Sequence, residues 1–343
     1  MATPIKSLSL ACRVVMDMHA LNNEGNESNR LMTRQVGIVT PATQDDGAPG
    51  YGRFTVNAIS GDMNKHIFAD ALRNIALDLG LPVCPACQAL DPARMMGNAA
   101  FQAFIGEKPA VDVVIDRLLE CVIDDVCGIM ITASGQSIKR KSAVEFGWTV
   151  GLPEITEVQE FIHARHAITR VHRTRLDRDA EEEARQEASE ERQRNIGQMV
   201  FNRPASSGVY AFVAHLDVAS IGFNDAAQVY PEHVRDRDLR LRAALMALAQ
   251  TVLHPKGALT STQLPHVVDV EGFVSVSSTA AAAPLVSPLA NAYIERGVDI
   301  AHLINRLHGE NAVQVLPFAG SEGLLSQLAD VVETTEPGQY RRV

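Results

Sequence analysis

The sequence IKSLSLACRVVMDM (residues 5–18) alternates between two sets of side chains along its whole length. One face carries Leu8, Leu10, Cys12, Val14, Met16 and Met18, and the other carries Ser7, Ser9, Ala11, Arg13, Val15 and Asp17. A period of two is typical of a β-strand that buries one face. The stretch therefore predicts a half-buried strand, and the remaining elements can be placed relative to it.

Five further segments have a clear period. Ser60 and Asp62 supply caps to an amphipathic helix over 61–79, in which apolar residues recur every four positions. The other segments predict strands at 143–150, 208–218 and 268–277 and a helix at 236–253. The order strand, helix, strand, strand, helix, strand is that of the split β-α-β fold. We therefore expect an α+β protein with a ferredoxin-like, RRM-type βαββαβ core.

Long segments without this pattern interrupt the core. Residues 20–58 are rich in Asn, Gly, Thr and Pro, a composition that favours turns and irregular backbone. Residues 83–142 predict a partly helical insertion with one helix around 110–121. The resulting division of the chain is 1–82 (core, first half, with the Asn/Gly-rich loop), 83–142 (insertion), 143–162 (core strand), 163–204 (charged insertion), 205–280 (core, second half) and 281–343 (C-terminal extension).

The charged insertion changes sign abruptly. Residues 163–178 hold five arginines and one acid, whereas residues 179–191 hold seven acids and one arginine. A segment this polar cannot contribute to an apolar core, so we expect a solvated protrusion or a segment that orders on a partner.

Composition narrows the class of protein. The chain has 343 residues, 46% hydrophobic and 21% charged, which fits a folded protein rather than a disordered one. Its formal net charge of −10 argues against a surface that coats nucleic acid all over, so any such binding must use a local patch. The absence of a signal-like run and of an apolar stretch long enough for a bilayer leads us to expect a cytoplasmic protein without a membrane anchor.

Several loops combine cations with small or amide side chains. Such groups can bond phosphates, sugars and bases, and loops at strand ends often carry function. The helix start near residue 61 also offers free N–H groups to an anion. The ordinary alternative in each case is a solvated loop or a capped helix. The candidate residues for nucleic-acid binding are Asn23, Asn26, Asn29, Arg30, Arg34, Lys65, His66, Lys139, Arg140, Lys141, Arg203 and Lys256.

Cysteines and acidic residues provide no complete metal or catalytic pattern. Cys84 and Cys87 form a CxxC that could be half a zinc site or a redox pair, but Cys121 and Cys127 lack the spacing of a second half. Five cysteines at this length indicate free thiols rather than disulfides. Asp124 and Asp125 could bind a metal, yet adjacent acids point in different directions, and a surface turn is the better interpretation. We expect no resident metal, no cofactor and no catalytic residue.

The chain resembles the DevR-type backbone subunits of type I CRISPR surveillance (Cascade) complexes, members of the RAMP superfamily. The resemblance covers roughly residues 5–280. It lies in the ordered blocks RVVMDMHALNNEGNESNRLMTRQV, VNAISGDMNKHIFADALR, VEFGWTVGLPE, FNRPASSGVYAFVAHLDVASIGFN and HPKGALTSTQLPHV.

This resemblance implies an RRM-type palm with large finger and thumb insertions. Residues 83–142 become the finger and residues 163–204 the thumb. Its implied partners are the CRISPR guide RNA, target DNA through the guide, further copies of the chain and other Cascade subunits. Asn23, Asn26, Asn29, Arg30, Arg34, Lys65 and His66 become candidates to hold the guide backbone.

Three functions follow as hypotheses. The first is a non-catalytic subunit that oligomerises along the guide RNA and presents it for pairing with target DNA. The second is an RNA-cleaving enzyme of the same superfold that acts through Asp124, Asp125 or a histidine. The third is a solitary regulatory RNA-binding protein that does not polymerise.

Overall fold

The computed structural model describes residues 2–27, 30–43, 47–165 and 199–340. Its strands are β1 (Thr3–Ile5), β2 (Ser7–His19), β3 (Asn23–Glu27), β4 (Arg30–Thr33), β5 (Gln35–Thr43), β6 (Pro49–Ile59), β7 (Ile129–Ala133), β8 (Gln136–Arg140), β9 (Val144–Phe146), β10 (Thr149–Gly151), β11 (Glu157–Arg165), β12 (Met199–Leu216), β13 (His266–Ser277), β14 (Val313–Ala319) and β15 (Thr335–Pro337).

Helices lie between these strands, in two groups. Those of the first half are α1 (Gly61–Asp78), α2 (Pro85–Gln88), α3 (Ala99–Gly106), α4 (Val111–Leu118) and α5 (Val122–Cys127). Those of the second half are α6 (Arg237–Leu253), α7 (Tyr293–His308) and α8 (Gly320–Thr334). No helix of the described ranges is long and apolar enough to cross a membrane.

The predicted α+β, ferredoxin-like core is confirmed. The strands of the main sheet follow the order β14, β13, β2, β12, β10, β6, β5, and β9 also pairs with β12. The four core strands therefore lie in the order fourth, first, third, second, all antiparallel to their neighbours. This is the arrangement that a βαββαβ chain produces when both helices cross on the same side of the sheet.

One face of β2 packs on the helices. Leu8, Leu10, Cys12, Val14 and Met16 are buried in a single cluster that also holds apolar residues of α1, α6 and α8. The predicted helix 61–79 is found as α1, and the Ser60 hydroxyl accepts a hydrogen bond from the Met63 N–H at 3.2 Å. The alternating pattern of β2 thus selects the face on which both crossover helices lie.

The other face of the sheet is covered by the chain itself. Ser9 donates a hydrogen bond to the Ala283 carbonyl at 3.1 Å, and the Ala283 N–H donates to the Ser7 hydroxyl at 3.0 Å. Ser275, which lies opposite Ser9 in the sheet, donates to the Pro284 carbonyl at 2.5 Å. Residues 281–293 therefore lie on the surface that RRM domains commonly offer to single-stranded RNA.

Two local expectations are wrong. Residues 20–58 form β3 to β6 rather than irregular backbone, because Val36 and Ile38 pack with Phe54 on the same side of the β5–β6 pair. The strand expected at 143–150 is split into β9 and β10 at Gly147, where a side chain would lie 2.4 Å from Val213.

The finger, residues 83–142, is partly helical as expected, but its acidic pair is not on a surface turn. Asp124 and Asp125 are both fully buried in α5. The Asp125 carboxylate bonds Arg140 of β8 at 2.6 Å and Arg240 of α6 at 2.7 Å. It also accepts from the Gly222 N–H at 3.0 Å. This ion triad fixes the finger to the palm.

The charged insertion extends from the palm through a pair of strands. β11 and β12 are antiparallel, and Arg165 lies opposite Met199 at the far end of the pair. Residues 166–198 of the expected thumb lie outside the described residues. In the C-terminal extension, β14 adds a strand beside β13, and α8 packs into the main core.

Removal of the Asp125 charge tests the triad. We expect Asp125→Asn to lower the free energy of unfolding by about 3–5 kcal/mol, because two buried guanidinium groups lose their shared countercharge. Urea unfolding followed by circular dichroism measures the loss. The matched control is Glu120→Gln, which removes an exposed partner of Arg117 and should cost less than about 1 kcal/mol. Equal losses for the two variants would contradict the role given to Asp125.

Candidate nucleic-acid interface

Distant parts of the sequence meet where β2 ends. The Asn22 side-chain oxygen accepts from the Ser60 N–H at 2.7 Å, and the Leu21 carbonyl accepts from the Ala258 N–H at 3.0 Å. The Ser207 hydroxyl accepts from the Met18 N–H at 3.1 Å. We call this surface the junction and define it as residues 18–24, 30–34, 57–60, 148, 202–207 and 256–264. Backbone hydrogen bonds between its segments hold the side chains in fixed relative positions.

Gly257 shows how closely two of these segments approach. A Cβ atom at this position would lie 2.7 Å from the Leu21 carbonyl oxygen, closer than real Cβ contacts allow. Only glycine therefore lets the 256–264 loop lie against the end of β2. The side chain of the neighbouring Lys256 is exposed.

Arg34 is the best fixed cation of the junction. Its N–H donates to the Asn22 carbonyl at 3.0 Å, and its carbonyl accepts from the Ala58 N–H and the Asn57 amide, both at 3.0 Å. Its guanidinium lies 5.5 Å from the centre of the Trp148 ring, a cation–π distance. The Trp148 side chain is 42% exposed, so its ring surface is within reach of solvent.

Trp148 is a functional candidate that the sequence did not identify. Its place in the alternating run 143–150 assigned it to the same face as Val144 and Phe146, whereas the break at Gly147 turns it outward. An exposed aromatic ring beside an arginine offers a stacking surface for a base and a charge for the adjoining phosphate. The available signal was that Trp148 is the only tryptophan of the chain and follows a glycine.

The structure brings several more predicted residues to the junction. Arg203 donates to the Thr262 hydroxyl at 3.0 Å, and Gln263 donates to the Pro204 carbonyl at 2.9 Å. Arg30 lies beside Asn202 in the sheet and forms an ion pair with Glu160 of β11. These contacts connect the junction to the β11–β12 pair.

Of the three candidate asparagines, Asn23 is the one whose side-chain contacts the structure describes. Asn23 donates to the Ala20 carbonyl at 3.4 Å, and its side-chain oxygen is buried without a hydrogen-bond partner in the described part of the chain. The backbone of Asn26 lies in β3 opposite Leu31, and its side chain is outside the description. Asn29 lies outside the described residues.

Carboxylates accompany the cations of the junction. Glu24 lies 3.3 Å from Arg34, and Glu160 holds Arg30. An incoming phosphate must compete with these partners, which are partly exposed and hence weakly held. The arrangement can therefore exchange a carboxylate for a phosphate at modest cost.

Lys65 and His66 lie on the side of α1 that faces the finger. They line a depression of about 310 Å³ between α1 and the finger, together with Arg94. Burial lowers the pKa of the Lys65 ammonium. The expected cations at the helix start thus line a second surface, between α1 and the finger.

The expectation that residues 139–141 form an exposed cationic cluster is wrong for Arg140. Lys139 is exposed on the β7–β8 hairpin, and Lys141 forms an ion pair with Glu145 at 2.9 Å. Arg140, in contrast, is buried against Asp125 and donates to the Phe223 carbonyl at 2.8 Å. It cannot reach a phosphate, because both ends of its guanidinium bond within the protein.

The fold places the chain among the ferredoxin-like, RRM-type α+β proteins. The sequence model of the family described as "CRISPR-associated negative auto-regulator DevR/Csa2" matches residues 10–298. The chain therefore belongs to the DevR/Csa2 family, which confirms the resemblance noted above. A search of curated proteins finds no match.

Three solved structures to which this chain is similar are CRISPR proteins. A chain described as "CRISPR RNA-guided surveillance complex, pre-nicking" is 10% identical with a TM-score of 0.46, over 95% of this chain and 100% of that one. Thermofilum pendens Csc2 is 12% identical with a TM-score of 0.35, over 97% and 87% of the two chains. A chain of another "CRISPR RNA-guided surveillance complex" is 11% identical with a TM-score of 0.39, over 94% and 98%.

His19, at the end of β2, makes the stability of the protein depend on pH. Its ring packs edge-on at 4.9 Å from Tyr210, and neither ring nitrogen has a hydrogen-bond partner among the described residues. Burial lowers the pKa of His19 from 6.5 to about 4. Between these values the unfolded chain binds a proton that the folded chain does not.

We expect the contribution of the neutral, buried His19 to the free energy of unfolding to be fully present above about pH 6.5. This contribution is lost as the pH is lowered towards about 4. The His19 contribution to the slope is at most about 1.4 kcal/mol per pH unit. Urea unfolding at a series of pH values measures it as the difference between wild type and His19→Phe. The exposed His266 is the matched control, and His266→Phe should keep the wild-type slope. A slope in His19→Phe that equals the wild-type slope would contradict this assignment.

Proposed function

We propose that this chain is a non-catalytic guide-RNA-binding subunit of a type I Cascade-like complex. In this role it oligomerises along the CRISPR RNA and presents the guide for pairing with target DNA. The observation that carries the proposal is the junction, where the segments 18–24, 30–34, 57–60, 202–207 and 256–264 meet and where Arg34 lies beside Trp148. Membership of a CRISPR-associated family supports the same role.

The covered sheet favours binding at the junction. Residues 281–293 lie on the face that RRM domains commonly use for RNA, so a strand of RNA must be bound elsewhere. The junction lies at the end of the strands and combines fixed cations, an exposed ring and amide groups. Such a surface holds ribose and phosphate with little base preference, as a subunit requires when base pairing reads the sequence.

The β11–β12 pair supports contact with a further copy of the chain. Ile162 of β11 is 74% exposed and Phe161 is 38% exposed, although both are apolar. These consecutive residues point to opposite faces of the strand, so each face of the β11–β12 pair offers one exposed apolar side chain to a further copy of the chain. Because Arg30 holds Glu160 of the same strand, this pair and the junction form a continuous surface.

The enzymatic alternative loses its best candidates. Asp124 and Asp125 are fully buried, and Asp125 is committed to Arg140 and Arg240. Neither carboxylate can reach a phosphodiester of bound RNA. The non-catalytic role is therefore the one we propose, and intact RNA after prolonged incubation is its direct test. The family description "negative auto-regulator" favours the solitary regulator as the second candidate.

Tryptophan fluorescence can report RNA binding at the junction, because Trp148 is the only tryptophan of the chain. We expect single-stranded RNA to quench its emission on titration. The double variant Arg34→Ala with Lys256→Ala should bind at least about tenfold more weakly at low salt. Its plot of log affinity against log salt should be less steep by about 1.4, the value for two lost phosphate contacts.

Two further variants make this test specific. Arg306→Ala removes an exposed cation of α7 and should leave both affinity and salt slope unchanged. Lys65→Ala with His66→Ala tests the second surface, with affinity measured by filter binding. If this pair lowers the salt slope and the Arg34 pair does not, the RNA runs along α1 and the junction assignment is wrong.

Assembly on RNA tests the oligomeric part of the proposal. On RNAs of increasing length, native mass spectrometry should show added copies in regular steps, with the RNA intact. Replacing residues 166–198 by a short glycine linker is possible because Arg165 lies opposite Met199. This variant should keep its melting temperature but load without the regular steps. A single copy on every length would favour the solitary regulator, and shortened RNA would favour the enzyme.

A further inference from the structure

Four potential metal ligands meet at the base of the finger. They are Cys84, Cys87, Cys121 and Asp124, and their ligand atoms all lie within 4.8 Å of one another. Cys87, Cys121 and Asp124 are buried, while Cys84 is partly exposed. Three thiols and a carboxylate in a buried group are unfavourable as separate polar groups, whereas a divalent cation satisfies all of them together.

The distances fit a single tetrahedral ion. The Asp124 Oδ2 atom lies 3.4 Å from the Cys87 sulfur and 3.7 Å from the Cys84 sulfur. Zinc–sulfur and zinc–oxygen bonds at a tetrahedral angle place sulfur and oxygen about 3.5 Å apart. A [4Fe–4S] cluster would attach each ligand to a different iron, and a [2Fe–2S] cluster would divide the four ligands between two irons, so either cluster would hold some of the ligand atoms farther apart. The group is therefore sized for one ion.

The two halves of the site have the same local form. In Cys-Pro-Ala-Cys (84–87) and Cys-Val-Ile-Asp (121–124), the first ligand precedes a helical turn and the second lies within it. Cys84 and Cys121 both have extended backbone, with ψ of 154° and 120°. Each half therefore directs two side chains to one point, as in the paired loops of structural zinc sites.

Backbone N–H groups support the ligands. The Cys84 N–H donates to the Cys121 sulfur at 3.4 Å, and the Met95 N–H donates to the Asp124 Oδ1 at 3.5 Å. The Asn98 side chain also holds the first half, since its oxygen accepts from the Ala86 N–H at 3.0 Å. Donors of this kind orient ligands and compensate part of the negative charge of a thiolate-rich site.

From this geometry we infer a structural zinc site formed by Cys84, Cys87, Cys121 and Asp124. All four positions are occupied by protein ligands, which is the arrangement of structural rather than catalytic zinc. Zinc here connects the start of the finger, at α2, to its last helix, α5. The site is independent of the proposed RNA-binding function, because it lies in the finger and shares no residue with the junction.

Metal content of the full-length chain is the first test. Protein produced with zinc in the medium and purified under reducing conditions should contain one zinc per chain by inductively coupled plasma mass spectrometry. Cys121→Ser should retain less than about one tenth of that zinc. Cys127→Ser is the matched control, since Cys127 ends the helix that Cys121 caps, is equally buried and is outside the ligand group. It should keep the full content.

Cobalt substitution distinguishes loss of a ligand from loss of folding. Cobalt in the wild-type site should give the visible bands of a tetrahedral ion and a thiolate charge-transfer band of three-sulfur intensity. Asp124→Cys should keep one metal per chain and raise that band by about one third, as a fourth thiolate predicts. A folded wild type without zinc that takes up no cobalt would overturn the inference. A disulfide among these cysteines in the reduced preparation, or full zinc content in Cys121→Ser, would do the same.

Discussion

The central strand β2 is buried on both faces, and this constraint decides where the protein can bind anything. Its Leu8 face packs on α1 and α6, and its Ser9 face receives the segment that contains Ala283. Hydroxyl groups of Ser7, Ser9 and Ser275 provide the hydrogen bonds that an apolar sheet face could not give to a crossing backbone. A sheet closed in this way leaves the strand ends and their loops as the surfaces for a polymeric ligand.

The junction offers a few cations in fixed positions rather than a high density of positive charge. A chain with a net charge of −10 cannot attract RNA over its whole surface, so attraction must come from a few cations held in place. Arg34 is held at three backbone contacts and rests beside Trp148, while its ion pair with Glu24 is partly exposed. The carboxylate partners Glu24 and Glu160 are partly exposed, so their ion pairs are weak enough for a phosphate to displace them. In the proposed function, the spacing of the Trp148 ring and the cations would match the alternation of base and phosphate along a single strand.

Much of the fold could be predicted from the sequence, and much of the site could not. The strand at 5–18 and helix α1 were predictable because their apolar residues keep a strict period of two or four. The β5–β6 pair was missed because Val36 and Ile38 flank Gly37 and are soon followed by Pro41, and glycine and proline suggest turns. Arg140 was misassigned as an exposed cation, although it shares the inward face of β8 with Ile138. The alternation along β8 places Arg140 on the buried side with Ile138, but the run of three cations at 139–141 suggested an exposed segment.

The adjacent acids Asp124 and Asp125 show why side-chain direction matters more than residue type. Successive residues of a helix differ by about 100° in direction, so one carboxylate can enter the cysteine group while the next enters the palm. Asp125 bonds Arg240 of α6, and Asp124 lies against Cys87 of α2. The short helix α5 is thus fixed at both sides. Because an aspartate takes the place expected of a fourth cysteine, the CxxC at 84–87 has a partner that no cysteine spacing reveals.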